Sequence, residues 1–256
     1  MNEKRIQTLG QAIPPQRVQS GTLAATIVDF MRFIKAIILV AILLASISCS
    51  TTSKMLRSNV NPEEISSILY FEPISYIYSI ESGNKSYLND SFSNVVQVLL
   101  TEISEGLFDE INLKYSYYKP DTVIQKFIDE NIETLIKSVN RYGNLYHWQT
   151  PATIDSILKS KNFRFGLLPV IVGFTRTKSN YYKQYYKGEA IRALTLGVYS
   201  ETPIPCYSTL YLIILDSNDN NVTFYRKSEN ASQPYLPEPL NSQYREIFKG
   251  YFLKKK

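Results

Sequence analysis

Cysteine, histidine and tryptophan are all but missing from this chain of 256 residues, which holds two, one and one of them. Two cysteines, Cys49 and Cys206, cannot build a disulfide framework. The lone histidine, His147, adjoins Trp148 and has no acidic or hydroxyl neighbour at motif spacing. Zinc centres and serine-type triads draw on more than that, so His147 reads as structural or exposed. There is no glycine-rich phosphate loop, no serine elbow and no Cys-x-x-Cys, and the residues call for no metal and no cofactor. A strong excess of charge is missing too. The formal net charge is +5, from 28 basic and 23 acidic residues. Residues 1–48 hold five of those basic residues and two of the acidic ones, which leaves +2 for the remainder. Nucleic-acid binding loses its compositional support.

Long apolar runs are also lacking. The uninterrupted run from Ala36 to Ala45 is half of the roughly 20 residues that a membrane-spanning helix needs. It sits inside Met31 to Ser50, MRFIKAIILVAILLASISCS. Arg32 and Lys35 supply a cationic start, and the small residues Ala45, Ser46 and Ser48 lead to Cys49. That order is the anatomy of a bacterial export signal. A cysteine at the cut can take a diacylglyceryl group on its sulfur before cleavage. The segment resembles the lipobox of Gram-negative lipoproteins, with Ser46 where a leucine is usual. The expected organisation is therefore an upstream extension over 1–30, a signal peptide over 31–48 and a lipid-bearing Cys49. A polar tether over 49–62 and a single α/β domain over 63–256 complete it. No acidic cluster follows Cys49, which favours an inward-facing, periplasmic address.

Beyond the tether, apolar periodicity orders the chain. Ile65 to Ile80 reads as a strand covered on both sides and interrupted at Pro73, followed by a turn at Glu81 to Asn84. Asn89, Asp90 or Ser91 can cap a helix reaching Phe108, with Phe92, Val95, Val96, Leu99, Ile103 and Leu107 inward. Ile111 to Tyr118 alternates as a half-buried strand. A second helix runs from Thr122 to about Asn140, with Val123, Phe127, Ile128, Ile132, Leu135, Ile136 and Val139 inward, and stops at Gly143. Thr150 and Pro151 open a short third helix. Phe163 to Thr175 reads as a covered central strand, and Lys178 to Gly188 as a polar, tyrosine-rich connection. Strands over Ala190 to Tyr199, Thr209 to Leu215 and Val222 to Arg226 then form an antiparallel meander. Cys206 reads as a packed turn residue, and Asn241 to Phe252 as a closing helix. The fold class expected is α+β, a mixed and largely antiparallel sheet with helices packed on it.

Few constellations point to chemistry. Asp216 to Asn221 imitates the start of a calcium loop, but the sixth position is Asn221 and the twelfth is Lys227, where glycine and glutamate are required. A hairpin turn explains it. Glu102 and Glu105, and Asp129, Glu130 and Glu133, have the spacing of solvated helix faces. The 20 tyrosines are more telling. Tyr181, Tyr182, Tyr185 and Tyr186, interleaved with lysines, place amphipathic rings beside cations. Such rings suit partner recognition.

The order of elements, above all the hairpin LYLIILDSNDNNVTFYRKS followed by the helix NSQYREIFKGYF, resembles the envelope lipoproteins related to the curli-secretion channel protein. That group includes activators of penicillin-binding proteins. The resemblance implies helices on a mixed sheet and a non-catalytic role, with Cys49 as the only functional position carried over. The expected protein is held by acyl chains, palmitate among them, on the periplasmic face of the outer membrane. It would bind an envelope protein or a peptidoglycan-associated partner, with self-association as a further option. The alternative is an envelope hydrolase whose site is assembled from residues distant in sequence.

Overall fold

In the computed structural model the described residues run from Thr51 to Leu253, without Asn59, Tyr146, His147 and Ser200. All belong to the second of two compact units, Ser48–Lys256. The export signal, Cys49, His147 and the three closing lysines lie outside the described residues.

Chain order is β1 (Thr51–Thr52), β2 (Leu56–Arg57), β3 (Ser67–Phe71), β4 (Ile74–Ile80), β5 (Ser86–Leu88) and α1 (Asp90–Glu110). Then come β6 (Lys114–Tyr118), α2 (Thr122–Tyr142), α3 (Ala152–Ser160), β7 (Phe165–Arg176) and α4 (Lys178–Leu194). The chain closes with β8 (Cys206–Asp216), β9 (Asn221–Asn230) and α5 (Pro237–Phe248). One mixed sheet carries every strand in the order β1-β9-β8-β7-β3-β6, with β2 also on β9, β4 on β7 and β5 on β4. The α+β reading holds, and the antiparallel pairings outnumber the parallel ones.

The break at Pro73 divides one course of the chain in two. β3 and β4 both run parallel to β7 along the same side. Proline has no amide hydrogen to give a ladder, so pairing lapses there. Beyond the break β3 pairs with β6 and β4 with β5.

Side-chain alternation divides the core between two faces. On one face Tyr70, Leu167, Leu212 and Phe224 pack under α1 and α5. Tyr70 Oη donates to Ser104 Oγ at 2.9 Å, and Ser104 Oγ lies 2.7 Å from Tyr244 Oη, so three buried hydroxyls join sheet, α1 and α5. Arg226 Nη1 donates to the carbonyls of Glu246, Ile247 and Lys249 at 2.9, 3.0 and 2.7 Å, capping α5, while its Nε reaches Ser53 O. On the other face Leu69, Phe71, Leu168 and Ile213 pack under α2 and α3. Gly166 admits α3 there: a Cβ would stand 2.9 Å from both Leu158 Cδ2 and Phe71 Cε2.

The structure departs from the sequence reading in identifiable places. Lys178 to Leu194 is one helix, so neither the tyrosine-rich connection nor the strand from Ala190 exists as expected. Thr177 caps it by accepting from Asn180 N. Val123 and Phe127 face out, 69% and 52% exposed, because α2 is seated through Ile128, Ile132, Leu135 and Val139. On α1, Val95 faces out and Leu100 in. Thr150 does not cap α3; its hydroxyl donates to Asn221 O at 3.1 Å. Cys206 opens β8 rather than standing in a turn, and α5 begins at Pro237. β5 carries no apolar alternation and gave no signal. Where a free tether was expected, the chain from Thr51 to Arg57 runs antiparallel along β9.

Candidate interaction surface

Helices α2 and α3 cover only half of their face of the sheet. Register places Tyr76, Val172 and Thr209 in one row and Ile74, Val170 and Tyr211 in the next, all on that face. Tyr76, Tyr78 and Tyr211 are half-buried, and Val172 is 40% exposed although it lies on a central strand. Between these rings and α2 lies a cavity of about 490 Å³. Its α2 wall carries Asp129, Glu130 and Glu133, against Lys137. Tyr76 Oη donates to Asp129 Oδ2 at 2.7 Å, and Gln125 Nε2 to Asp129 Oδ1 at 2.7 Å. Burial, then the Asp129 carboxylate, holds the Tyr76 phenol well above its ordinary range, so it is a neutral donor. Burial also raises Tyr211 and Tyr225. The Tyr225 hydroxyl is buried without a hydrogen-bond partner, its ring 6.2 Å from that of Tyr211. The trough offers aromatic area and an acidic rim.

The four tyrosines singled out in sequence all lie on α4. Tyr181 stacks on Tyr185 and Tyr182 on Tyr186, ring centroids 6.3 and 6.5 Å apart, the four-residue spacing of one helix face. Tyr182 and Tyr186 are 54% and 68% exposed. What seats this helix is polar. Asn180 is buried, accepts from Arg176 Nη1 at 2.9 Å, and donates to Glu81 O at 2.6 Å and Asn84 Oδ1 at 3.1 Å. Gly188 is buried against the Glu201 carbonyl, where a Cβ would clash with backbone. A second cavity, about 320 Å³, opens between α4, Phe174 and the segment from Glu201 to Ile204.

The remaining candidates are structural in their contacts. Asp216, wholly buried, accepts a fork from Arg164 at 2.8 to 3.1 Å, and its Oδ1 accepts from Asn218 N at 2.9 Å. That fixes the β8–β9 turn as a hairpin. Glu133 pairs with Lys137 on the α2 surface. Cys206 is buried, and burial pushes its thiol up. Among the described residues no group of histidine, cysteine and carboxylate side chains could hold a metal ion. None of the described helices is long and apolar enough to cross a membrane. The trough was missed in sequence although its parts were in view: Tyr76 and Tyr78 alternate, but only the register with β7 and β8 brings them to one uncovered face.

No known protein family and no curated protein matches the chain. Among solved structures, the PelC dodecamer from Paraburkholderia phytofirmans aligns with TM-score 0.37 at 6% identity, over 81% of this chain and 100% of that chain. A dodecameric point variant of the same protein aligns with TM-score 0.35, at the same identity and coverage. Likenesses this slight say nothing of what this chain binds or assembles into.

Proposed function

We propose that this protein is an envelope lipoprotein, moored through Cys49 to the periplasmic face of the outer membrane, that works by binding another envelope protein rather than by catalysis. The mooring rests on the export signal and its cysteine, and the likeness in element order to curli-secretion-related lipoproteins agrees with it. The observation that carries the binding role is the open half of the sheet. A central strand leaves Val172 uncovered between Tyr76, Tyr78 and Tyr211. Interfaces put aromatic rings at such centres and polar groups at their rims. The carboxylates of Asp129 and Glu130 select a partner segment bearing a basic side chain. Tyr76, held as a neutral donor on Asp129, orients the rim and attacks nothing.

The test is a photo-crosslinking amino acid placed at Val172 in the native envelope, with Val95 on the opposite face as control. The expected result is one adduct with a defined envelope protein from Val172 and none from Val95, lost when Asp129 and Glu130 become lysines. Equal labelling at both positions, or an adduct indifferent to those charges, contradicts the trough as the binding site.

A further inference from the structure

Helix α4 ends in a turn with an unusual surface. Leu194, Leu196 and Val198 are 85%, 94% and 90% exposed, and Tyr199, next in the chain, is 52% exposed. Leu196 has φ +52° and Gly197 φ +84°, so the backbone doubles back and turns aliphatic side chains outward. Leu196 N and Val198 N donate to Ala193 O and Thr195 O, which holds the turn closed. Isolated exposed apolar side chains are ordinary, but a cluster of large ones at a turn marks a contact surface. Lysines accompany it. Lys178, Lys183, Lys187 and Arg192 face two acidic residues, Glu189 and Glu201, between positions 178 and 204. Exposed tyrosines lie along the same helix. Aliphatic tip, tyrosine belt and basic flank are together the composition of a surface that lies in the headgroup region of a bilayer.

Register relates the start of α4 to the first described residue after the anchor. Thr51 pairs with Glu229, Glu229 with Thr209, and Thr209 with Val172. Thr51 is thus level with Val172, four residues before Arg176 ends β7 and the chain enters α4. β7 is three strands away from β1, about 14 Å at ordinary strand spacing. Cys49 precedes Thr51 by two residues, a reach of at most about 7 Å. Thr51 therefore begins β1 near the end of the sheet at which β7 gives way to α4.

We propose that α4 and the turn from Leu194 to Val198 form a second, reversible contact with the anionic membrane surface that carries the anchor. Leu196 and Val198 enter the interfacial zone, and Lys183 and Lys187 meet headgroup phosphates. This inference rests on the anchored reading, since it supplies the membrane. Its consequence is orientation: an acyl chain alone leaves a domain free to swivel, and a second contact at the same end holds the sheet upright.

The test uses the chain from Ser50 onward, the compact unit without its first two residues, which lacks both leader and anchor. It is floated with vesicles of phosphatidylcholine containing phosphatidylglycerol, and with vesicles of phosphatidylcholine alone. The expected result is co-flotation with the anionic vesicles that weakens with salt and falls roughly tenfold or more in Leu196→Asp/Val198→Asp and in Lys183→Glu/Lys187→Glu. Both pairs are surface substitutions, and unchanged circular dichroism verifies the fold. No co-flotation, or binding that the variants do not alter, overturns the proposal. So does a dimer in solution that Leu196→Asp/Val198→Asp dissolves without any vesicle binding, because a second copy is then the occupant. Palmitate incorporation into the intact chain is measured separately, so a moored protein without vesicle affinity refutes this inference and leaves the mooring untouched.

Discussion

Among individual residues, buried polar side chains are the sites to measure, because the ion pairs on exposed helix faces, such as Lys126–Glu130, Lys137–Glu133 and Arg192–Glu189, contribute little. Two buried hydroxyl sites make the contrast measurable. Ser104 serves two buried tyrosine hydroxyls at once. Ser104→Ala removes this partner from Tyr244 and leaves Tyr70 only the Leu100 carbonyl at 3.3 Å, and it is expected to cost about 1–3 kcal/mol in urea unfolding. Tyr225 is buried with its hydroxyl unpartnered, so Tyr225→Phe is expected to be neutral, or stabilising by up to about 1 kcal/mol. A loss in Tyr225→Phe comparable to that in Ser104→Ala would show the hydroxyl to be satisfied after all. Glu229 supplies the pH dependence. The Lys227 ammonium, bonded at 2.7 Å, and then the Tyr207 hydroxyl hold its carboxyl below the usual range. A carboxylate depressed in the folded state adds stability that is present above its unfolded pKa and lost as pH falls through the folded one. Thermal stability is therefore expected to decline below about pH 4.5, with a shallower decline in Glu229→Gln. An identical profile in the two proteins would remove Glu229 from the account.

At the scale of elements, α4 explains what the sequence could and could not disclose. α1, α2 and α3 carry apolar stripes at three- and four-residue spacing and were legible as helices. α4 buries only Asn180 and Gly188 and is held by hydrogen bonds and a close backbone approach. Its stripe is absent, its tyrosines favour strands in isolation, and periodicity had nothing to find. β1 and β2 were illegible for a related reason: two-residue strands show no alternation and exist through the edge of β9. The glycine at the α4 contact tests this docking. Gly188→Ala is expected to push α4 away from Glu201 and raise amide exchange across Lys178–Leu194 and the Glu201–Ile204 segment, with the sheet protected as before. Gly106, in open space on α1, is the control: Gly106→Ala should stabilise by about 0.5–1 kcal/mol. Unchanged exchange in α4 would mean that the close approach does not seat the helix.

Among the described residues the sheet is packed on one face by α1 and α5 and half open on the other, and β1 begins near the end at which β7 gives way to α4. The fold class was readable because covered strands and striped helices were each marked locally. The open half-sheet was not, since uncovered faces arise from which helices fail to reach, a property no single segment carries. In the proposed reading the domain presents a partner face on the sheet and works from an anchor at Cys49. The direct measurement is the mass of the chain purified from envelopes after growth with labelled palmitate. The account predicts a polypeptide beginning at Cys49 and bearing acyl chains, with label absent and the leader retained in Cys49→Ala. An unlabelled wild-type chain, or one that keeps residues 31–48, contradicts it.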